Sequence, residues 1–309
     1  MTNKIAVIDV GTNSVKTTAV DVENNTSGAV LLDASEVTRL GEGVDAARNL
    51  NPVAMMRTVD VVHNFVERAK AVGVSEIRVV GTSALRDAAN RSEFIDLVKS
   101  KTGITVEVID GDREASLAFA AVRADPDVSA RLHGELVVFD IGGGSTELIL
   151  GKGLAPDKKI SLNIGAVRLT ERFISTDPPT PAEISNATAE ITEQFAKAAW
   201  IGSPGLVAGI GGTAVTLAAV AHGAAYDDVE SLNGRVLSLE EIEVALQRFQ
   251  SADLAQRRTI RGLDPKRADV IICGTLILRA LLQTCGLNSF IVSTRGLRFG
   301  LLAEMAEAG

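Results

Sequence analysis

Apolar and β-branched residues gather in three runs near the start of the chain, Lys4–Val10, Val15–Val22 and Ala29–Thr38, separated by Gly or Asn turn signals. Runs of this kind predict strands, and their short spacing predicts an antiparallel meander. From Pro52 the period lengthens. Val53, Met56, Val59, Val62 and Val66 recur at helical spacing up to about Val72, and Pro52 suits a first helical position. Ile77–Val80 and Thr105–Ile109 then read as short buried strands set between helical segments, which is α/β alternation. The polar, proline-containing segment Ala124–Gly134 is expected to mark a domain boundary.

The second half repeats the opening pattern. Ile5–Val20 aligned with Leu136–Leu150 superposes Asp9 on Asp140, Gly11 on Gly142 and Ser14 on Ser145 at one constant offset. Each copy is an apolar strand that delivers an aspartate, a Gly-containing turn and a second β-rich run, so the chain reads as duplicated. Further along, Lys159–Ile164 and Gly205–Ile210 are expected strands, and Ala182–Ala199, Leu239–Gln250 and a long apolar stretch Arg267–Thr284 are expected helices. A strand Phe290–Ser293 feeds a closing helix Leu297–Ala308, expected to pack back on the first domain. The division is therefore residues 1–124, with 297–309 joining them, and residues 125–296.

With 309 residues, 46% hydrophobic and 23% charged, the chain can bury a large core. Its net charge of −8 repels polyanions, so duplex nucleic acid is not an expected partner, although a small anion can still be held by a local basic cluster. Two cysteines and a start without a signal-peptide pattern suggest a reducing cytoplasm. Ala198–Tyr226 lacks Asp, Glu, Lys and Arg, yet Pro204 and five glycines break it, so no membrane span is expected.

Candidate chemistry lies in three glycine-rich turns, DVGTNS (Asp9, Val10, Gly11, Thr12, Asn13, Ser14), DIGGGS (Asp140, Ile141, Gly142, Gly143, Gly144, Ser145) and GIGGT (Gly209, Ile210, Gly211, Gly212, Thr213). Glycine lets amide N–H groups close on an anion, so such turns can cradle phosphate oxygens. For any one of them, a tight hairpin without a ligand is the competing reading. Asp9, Asp140 and Glu147 offer hard oxygen ligands, and His63, His133 and His222 lack metal-ligand spacing. That donor set suits magnesium, with manganese as the alternative, better than zinc. A solvated outer-strand carboxylate is the competing reading of Glu147.

DVGTNS, TSALRDA (Thr82–Ala88), IDGDREASLAF (Ile109–Phe119) and FDIGGGSTEL (Phe139–Leu148) together resemble the exopolyphosphatase and guanosine pentaphosphate phosphohydrolase family. TRLGEGV (Thr38–Val44), NIGAVRLTERF (Asn163–Phe173), GIGGTAVTLAAV (Gly209–Val220), RADVIICGTLIL (Arg267–Leu278) and RGLRFGLL (Arg295–Leu302) extend the resemblance over the full length. It implies the actin-like, sugar kinase and Hsp70-like fold: two ribonuclease H-like α/β domains with a phosphate site in the interdomain cleft. It places the catalytic glutamate on Glu114 and a phosphate-contacting arginine on Arg86. A carboxylate there can orient water and take its proton during phosphoanhydride hydrolysis, and a guanidinium can neutralise the developing charge. The competing readings are a carboxylate favoured by a helix N-terminus for Glu114, and a surface ion pair with Asp87 for Arg86. Arg39, Arg168, Arg267 and Arg298 lie in matching motifs and together offer a track for the remaining anionic chain, the competing reading of each taken singly being structural.

Three positions depart from the family pattern. Arg113 replaces a second glutamate and is expected to add a cation beside Glu114, Phe299 replaces a glutamate, and Thr294 stands where an acidic residue is common. The chain also resembles the short form, without the extra helical domains of longer relatives, which favours shorter substrate chains. The expected function is magnesium-dependent release of terminal orthophosphate from inorganic polyphosphate, with guanosine pentaphosphate 5′-phosphohydrolase as the alternative. An actin-like ATPase or kinase and a non-enzymatic polyphosphate or alarmone sensor are the readings from other classes. Dimerisation in the family makes a homodimer an expectation, although no sequence pattern marks an interface.

Overall fold

The computed structural model describes residues 3–23, 26–153 and 155–308. Its contacts cluster into two units, Met1–Ala121 with Leu297–Gly309, and Val122–Gly296.

The first unit opens with the meander β1 (Asn3–Val10), β2 (Ser14–Glu23) and β3 (Thr26–Val37). A short turn of helix α1 (Val44–Ala47) precedes α2 (Pro52–Ala71). Asn51 caps α2 by accepting from Val53 N, with Pro52 at the first helical position, where its missing N–H costs nothing. β4 (Glu76–Gly81), α3 (Ser83–Asp87), α4 (Arg91–Thr102), β5 (Val106–Val108) and α5 (Gly111–Ala124) follow. The sheet order is β3-β2-β1-β4-β5, antiparallel through the meander and parallel across β1, β4 and β5.

Strand alternation gives this sheet two buried faces. Ile8, Val10, Val15 and Val79 pack with Val59, Val62, Phe65 and Val66 of α2 and with Phe94 and Val98 of α4. Ile5, Val7, Val20 and Val80 pack instead with Leu297, Leu301, Leu302 and Met305 of the closing helix α13, which spans Leu297–Ala308. Gly300 permits that docking: a β-carbon there would lie 2.4 Å from Leu117 O on α5. Arg113 binds Glu107 and, at 3.2 Å, Glu304 of α13, while Arg298 reaches Thr17 O at 2.8 Å and pairs with Asp33.

The second unit contains α6 (Pro126–Ser129), β6 (Leu136–Ile141), β7 (Thr146–Gly151), β8 (Lys158–Leu162), α7 (Ala166–Phe173) and α8 (Pro181–Phe195). β9 (Leu206–Ile210), α9 (Gly211–His222), β10 (Val236–Ser238), α10 (Leu239–Ser251), α11 (Leu254–Arg257), α12 (Ile271–Cys285) and β11 (Ser289–Val292) complete it. The sheet order is β10-β11-β9-β6-β7-β8. Apart from the added edge strand β10, it repeats the strand order of the first unit, with the same antiparallel meander and the same parallel centre.

Two expected helices are shorter than their apolar patterns. α8 stops at Phe195 and continues as a 3₁₀ turn to Ile201, where Ala198 leaves helical geometry at φ −108°. The Arg267–Thr284 pattern begins as a 3₁₀ turn, Pro265–Arg267, with Asp264 accepting from Lys266 N, and α12 starts only at Ile271. The uncharged Ala198–Tyr226 stretch folds as β9 and the twelve-residue α9. Among the described residues no helix is long and apolar enough to cross a membrane.

A buried carboxylate ties together the two ends of this unit. Asp125 is fully buried and accepts from Asp127 N at 3.0 Å, Asn233 Nδ2 at 3.3 Å and Ser293 Oγ at 2.6 Å. Asn233 Oδ1 in turn accepts from Thr294 N at 2.8 Å and from Thr294 Oγ1 at 3.1 Å. Thr294 therefore serves as a donor, a role that an ionised acidic side chain could not fill.

Candidate active site

In the first unit β1, β4 and β5 run parallel, so their carboxyl ends share one edge of the sheet, the edge where open α/β sheets place their ligands. β1 ends in Asp9 and the Gly11–Ser14 turn, β4 leads into Arg86 on α3, and β5 leads into Glu114 in the first turn of α5.

The turn is closed by Gly11 N donating to Ser14 O at 3.0 Å. Two of its carbonyls are taken up by the TRLGEG segment: Asn13 O accepts from Thr38 N and Arg39 N at 3.0 and 2.9 Å, and Thr12 O accepts from Gly41 N at 2.9 Å. Arg39 adopts φ +53°, the left-handed region, to make this approach. The Asn13 side chain is 6% exposed, and neither Oδ1 nor Nδ2 has a hydrogen-bond partner among the described residues. A buried amide in that state costs stability unless a ligand or water completes it, which is what a binding turn requires.

Arg86 and Glu114 meet directly. Arg86 Nη1 donates to Glu114 Oε2 at 2.6 Å and to Ile109 O at 3.1 Å, and the two side chains are 20% and 13% exposed. Arg86 thus pairs across the fold with Glu114, where the surface reading had offered Asp87. Asp110 Oδ1 caps α5 by accepting from Arg113 N at 2.7 Å, which fixes where the helix starts and hence where Glu114 stands. Arg113 does not lend its charge to Glu114. Its guanidinium is engaged by Glu107 and Glu304, because a residue next to Glu114 on a helix faces a different side.

In the second unit the DIGGGS turn is closed in the same way, Gly142 N to Ser145 O at 2.9 Å. Gly142 O accepts from Ala166 N, and Gly143 O from Val167 N and Arg168 N, at 2.9 to 3.0 Å. Arg168 Nε holds Gly144 O at 2.7 Å from a buried position. The start of α7 therefore takes up the turn's carbonyls. Gly165 makes the approach possible, since a β-carbon there would lie 2.4 Å from Gly143 O.

Asp140 and Glu147 are direct cross-strand partners on β6 and β7, so both carboxylates share one face. Glu147 is 2% exposed and its Oε1 accepts from Ser161 Oγ at 2.8 Å, which rules out the solvated outer-strand reading. Gly211 closes over Asp140 at φ +81°, where a β-carbon would fall 2.2 Å from Asp140 Oδ1. Gly212 lies against Arg267, 2.1 Å from Nη1 by the same measure. Burial pulls the Arg267 guanidinium below its ordinary pKa, while the carboxylates of Asp264 and Asp140 oppose that shift.

Sequence reasoning passed over one residue that this geometry brings in and read a second singly as structural. Lys16 on β2 is the cross-strand partner of Asp9, and Arg267 lies beside Gly212 and within electrostatic reach of Asp140. The duplication held the signal for the first. Lys16 occupies the position that Glu147 occupies in the second unit, so the two copies carry opposite charges at one equivalent place.

Among the described residues no group of three or more His, Cys, Asp or Glu side chains is close enough to form a metal cage. Magnesium does not need one, because one or two carboxylates complemented by water and substrate phosphates suffice. The paired Asp140 and Glu147 carboxylates fit that requirement.

Glycine turns whose carbonyls are engaged, a carboxylate–guanidinium pair at a helix head and a cross-strand carboxylate pair, of which Glu147 is buried, are groups of the kind that phosphate chemistry uses. Comparison with known proteins makes this specific. Residues 20–308 match the Ppx/GppA phosphatase family, and the chain belongs to that family. It is 33% identical to exopolyphosphatase 2 of Mycobacterium tuberculosis over 98% of both chains. It is 30% identical to the guanosine-5′-triphosphate,3′-diphosphate pyrophosphatase of Vibrio cholerae over 98% of this chain and 59% of that one. An exopolyphosphatase crystal structure from Cytophaga hutchinsonii superposes with a TM-score of 0.90 at 28% identity, covering 99% and 98% of the two chains. The chain therefore has an α/β fold of Ppx/GppA type with two similar domains and belongs to a family of phosphoanhydride hydrolases.

Proposed function

We propose that this protein is an exopolyphosphatase that removes terminal orthophosphate from inorganic polyphosphate. The observation that carries the reading is the Arg86–Glu114 pair at the head of α5, the two positions that the family motifs mark for phosphate contact and for water activation. Glu114 accepts a proton from water as the water oxygen bonds to the terminal phosphorus. The phosphoanhydride P–O bond breaks, and its electron pair leaves on the bridging oxygen of the shortened chain. Arg86 neutralises the phosphoryl oxygens, and the amides of the Gly11–Ser14 and Gly142–Ser145 turns, with Gly211 and Gly212, bind phosphate oxygens.

The unlike partners of the two aspartates divide the work. Lys16 opposite Asp9 gives the first turn a cation for an anionic substrate, and Glu147 opposite Asp140 gives the second a carboxylate pair for a divalent metal. Asp140 and Glu147, cross-strand partners in the second unit, would hold magnesium. When bound, the ion neutralises charge on the phosphates. We assign both units to the duplicated ribonuclease H-like, actin-like architecture, a reading supported by their shared strand order.

The similarity to the Vibrio cholerae enzyme favours a second reading, 5′-phosphate release from guanosine pentaphosphate. Orthophosphate release is to be measured in parallel from short polyphosphate, long polyphosphate and the nucleotide, with and without magnesium, for the protein and for Glu114→Gln. The substitution is expected to lower the preferred rate about 10²–10⁴-fold. An unchanged rate would overturn the assignment of the base, and nucleotide turnover without polyphosphate turnover would select the second reading.

A further inference from the structure

Glu147 has a partner on each side of its strand. On β6 it faces Asp140 and on β8 it faces Ser161, so the three side chains form one row across antiparallel strands and share a face of the sheet. Ser161 Oγ donates to Glu147 Oε1 at 2.8 Å, while Glu147 itself is 2% exposed. A glutamate side chain has several rotamers, and a hydrogen bond from a short serine held on a neighbouring strand selects among them. That bond can persist when the carboxylate meets a cation, because a carboxylate offers about four acceptor sites and a hydroxyl takes one. The first unit contains the same row with a different centre: Asp9, Lys16 and Ser35 face one another across β1, β2 and β3. Aspartate and serine recur at the flanks, and the middle residue changes from cation to carboxylate. A hydroxyl suits either centre, since it both donates and accepts.

We propose that Ser161 is a positioning residue for the metal-binding carboxylates: its hydroxyl holds Glu147 in the orientation from which Glu147 and Asp140 together take a divalent cation. Ser161 touches neither the ion nor the substrate in this role and acts through Glu147 alone. The inference rests on the magnesium reading above and deepens it, by naming the residue that sets the angle of one of the two carboxylates. Hydrogen-bond partners of metal ligands contribute about 10–100-fold to metal affinity, because a ligand free to turn away loses part of its binding energy in being ordered.

Binding of Mn²⁺ to the substrate-free protein, followed by loss of the free-ion signal in electron paramagnetic resonance, tests this without turnover. Ser161 is exposed on the edge strand β8, so its variants are expected to fold, and thermal melting without metal checks that they do. Ser161→Thr keeps the hydroxyl, and Ser161→Val has the same shape without it, both being residues that strands favour. Ser161→Ala and Ser161→Val are expected to weaken Mn²⁺ binding about tenfold or more, and Ser161→Thr to stay within about threefold of the parent. Ser35→Ala, the equivalent change in the first unit, is expected to leave the affinity unchanged. Parent-like affinity in Ser161→Ala and Ser161→Val, alongside a weakened Glu147→Gln, would overturn the proposal. Tighter binding in those two variants would do so as well, since the serine would then hold Glu147 away from the ion. So would an equal loss in Ser161→Thr, which would assign the effect to bulk on the edge strand, or an equal loss in Ser35→Ala. The magnesium reading fails separately, when the parent does not bind Mn²⁺ or Glu147→Gln binds it as tightly as the parent.

Discussion

Replacing Gly165 by alanine would drive a methyl group into the backbone of the DIGGGS turn. Gly165 has φ −154° and ψ 166°, extended geometry that alanine adopts freely, so the cost is steric alone. The new β-carbon would lie 2.4 Å from Gly143 O, 2.5 Å from Gly143 C and 2.7 Å from Gly144 C, all backbone atoms with no rotamer to escape into. Restoring ordinary contact requires a displacement of about 1 Å, and overpacking of that kind costs about 1–3 kcal/mol. The strain cannot be relieved by letting the turn float, because Ala166, Val167 and Arg168 hold its carbonyls. If the turn binds phosphate, a misplacement of about 1 Å lowers the rate by about 10²-fold. Gly153→Ala is the control, since a β-carbon there meets nothing within 4 Å. Urea unfolding followed by the fluorescence of Trp200, the sole tryptophan and a residue of the same unit, measures the stability cost, and phosphate release measures the rate. If Gly165→Ala matched Gly153→Ala in both midpoint and rate, the turn would be neither as tightly packed nor as functionally placed as argued.

Asp125→Ala leaves the donors Ser293 Oγ and Asn233 Nδ2 without their buried acceptor and is expected to cost about 2–4 kcal/mol in urea unfolding, with Ser293→Ala costing about 1 kcal/mol; a loss below about 1 kcal/mol for Asp125→Ala would show that the clasp contributes little. Burial pushes the Cys273 thiol up to about 11 and the Cys285 thiol up to about 12, so neither is expected to react with an aromatic disulfide reagent at pH 8 until the chain unfolds, and rapid labelling of native protein would contradict this. The folded chain holds these protons more tightly than the unfolded one, whose thiols titrate near 9. Their contribution to stability is therefore complete below that value and lost as pH rises toward 11 and 12, so the urea midpoint should fall between pH 8 and pH 10, and less steeply in Cys285→Ala.

Much of the fold was legible because strand and helix periods are local properties. The meander from Lys4, the helix from Pro52 and the repeat that sets Asp140 over Asp9 all follow from spacing along the chain. Helix ends were less legible. α12 starts at Ile271 instead of Arg267 because the Asp264–Pro265 cap closes a separate 3₁₀ turn first, and an apolar pattern does not reveal where such a turn ends. For the site, the motifs named Glu114 and Arg86 separately, yet no local rule could join two side chains brought together by β4 and β5 pairing in parallel. Arg113 was misplaced for the same reason, since adjacency in sequence suggested a cation beside Glu114 while helical geometry sent it to Glu107 and Glu304.

Taken alone, the sequence determined which residue types recur at which spacing: the duplicated hairpins, the glycines that allow close approach, and the carboxylates suited to a hard cation. Tertiary structure decided what those residues touch. The burial of Glu147, the opposition of Lys16 to Asp9 and the hold of Arg86 on Glu114 depend on strand register and on contacts between distant segments, which hydrophobic packing across the whole sheet enforces and no short stretch of chain encodes.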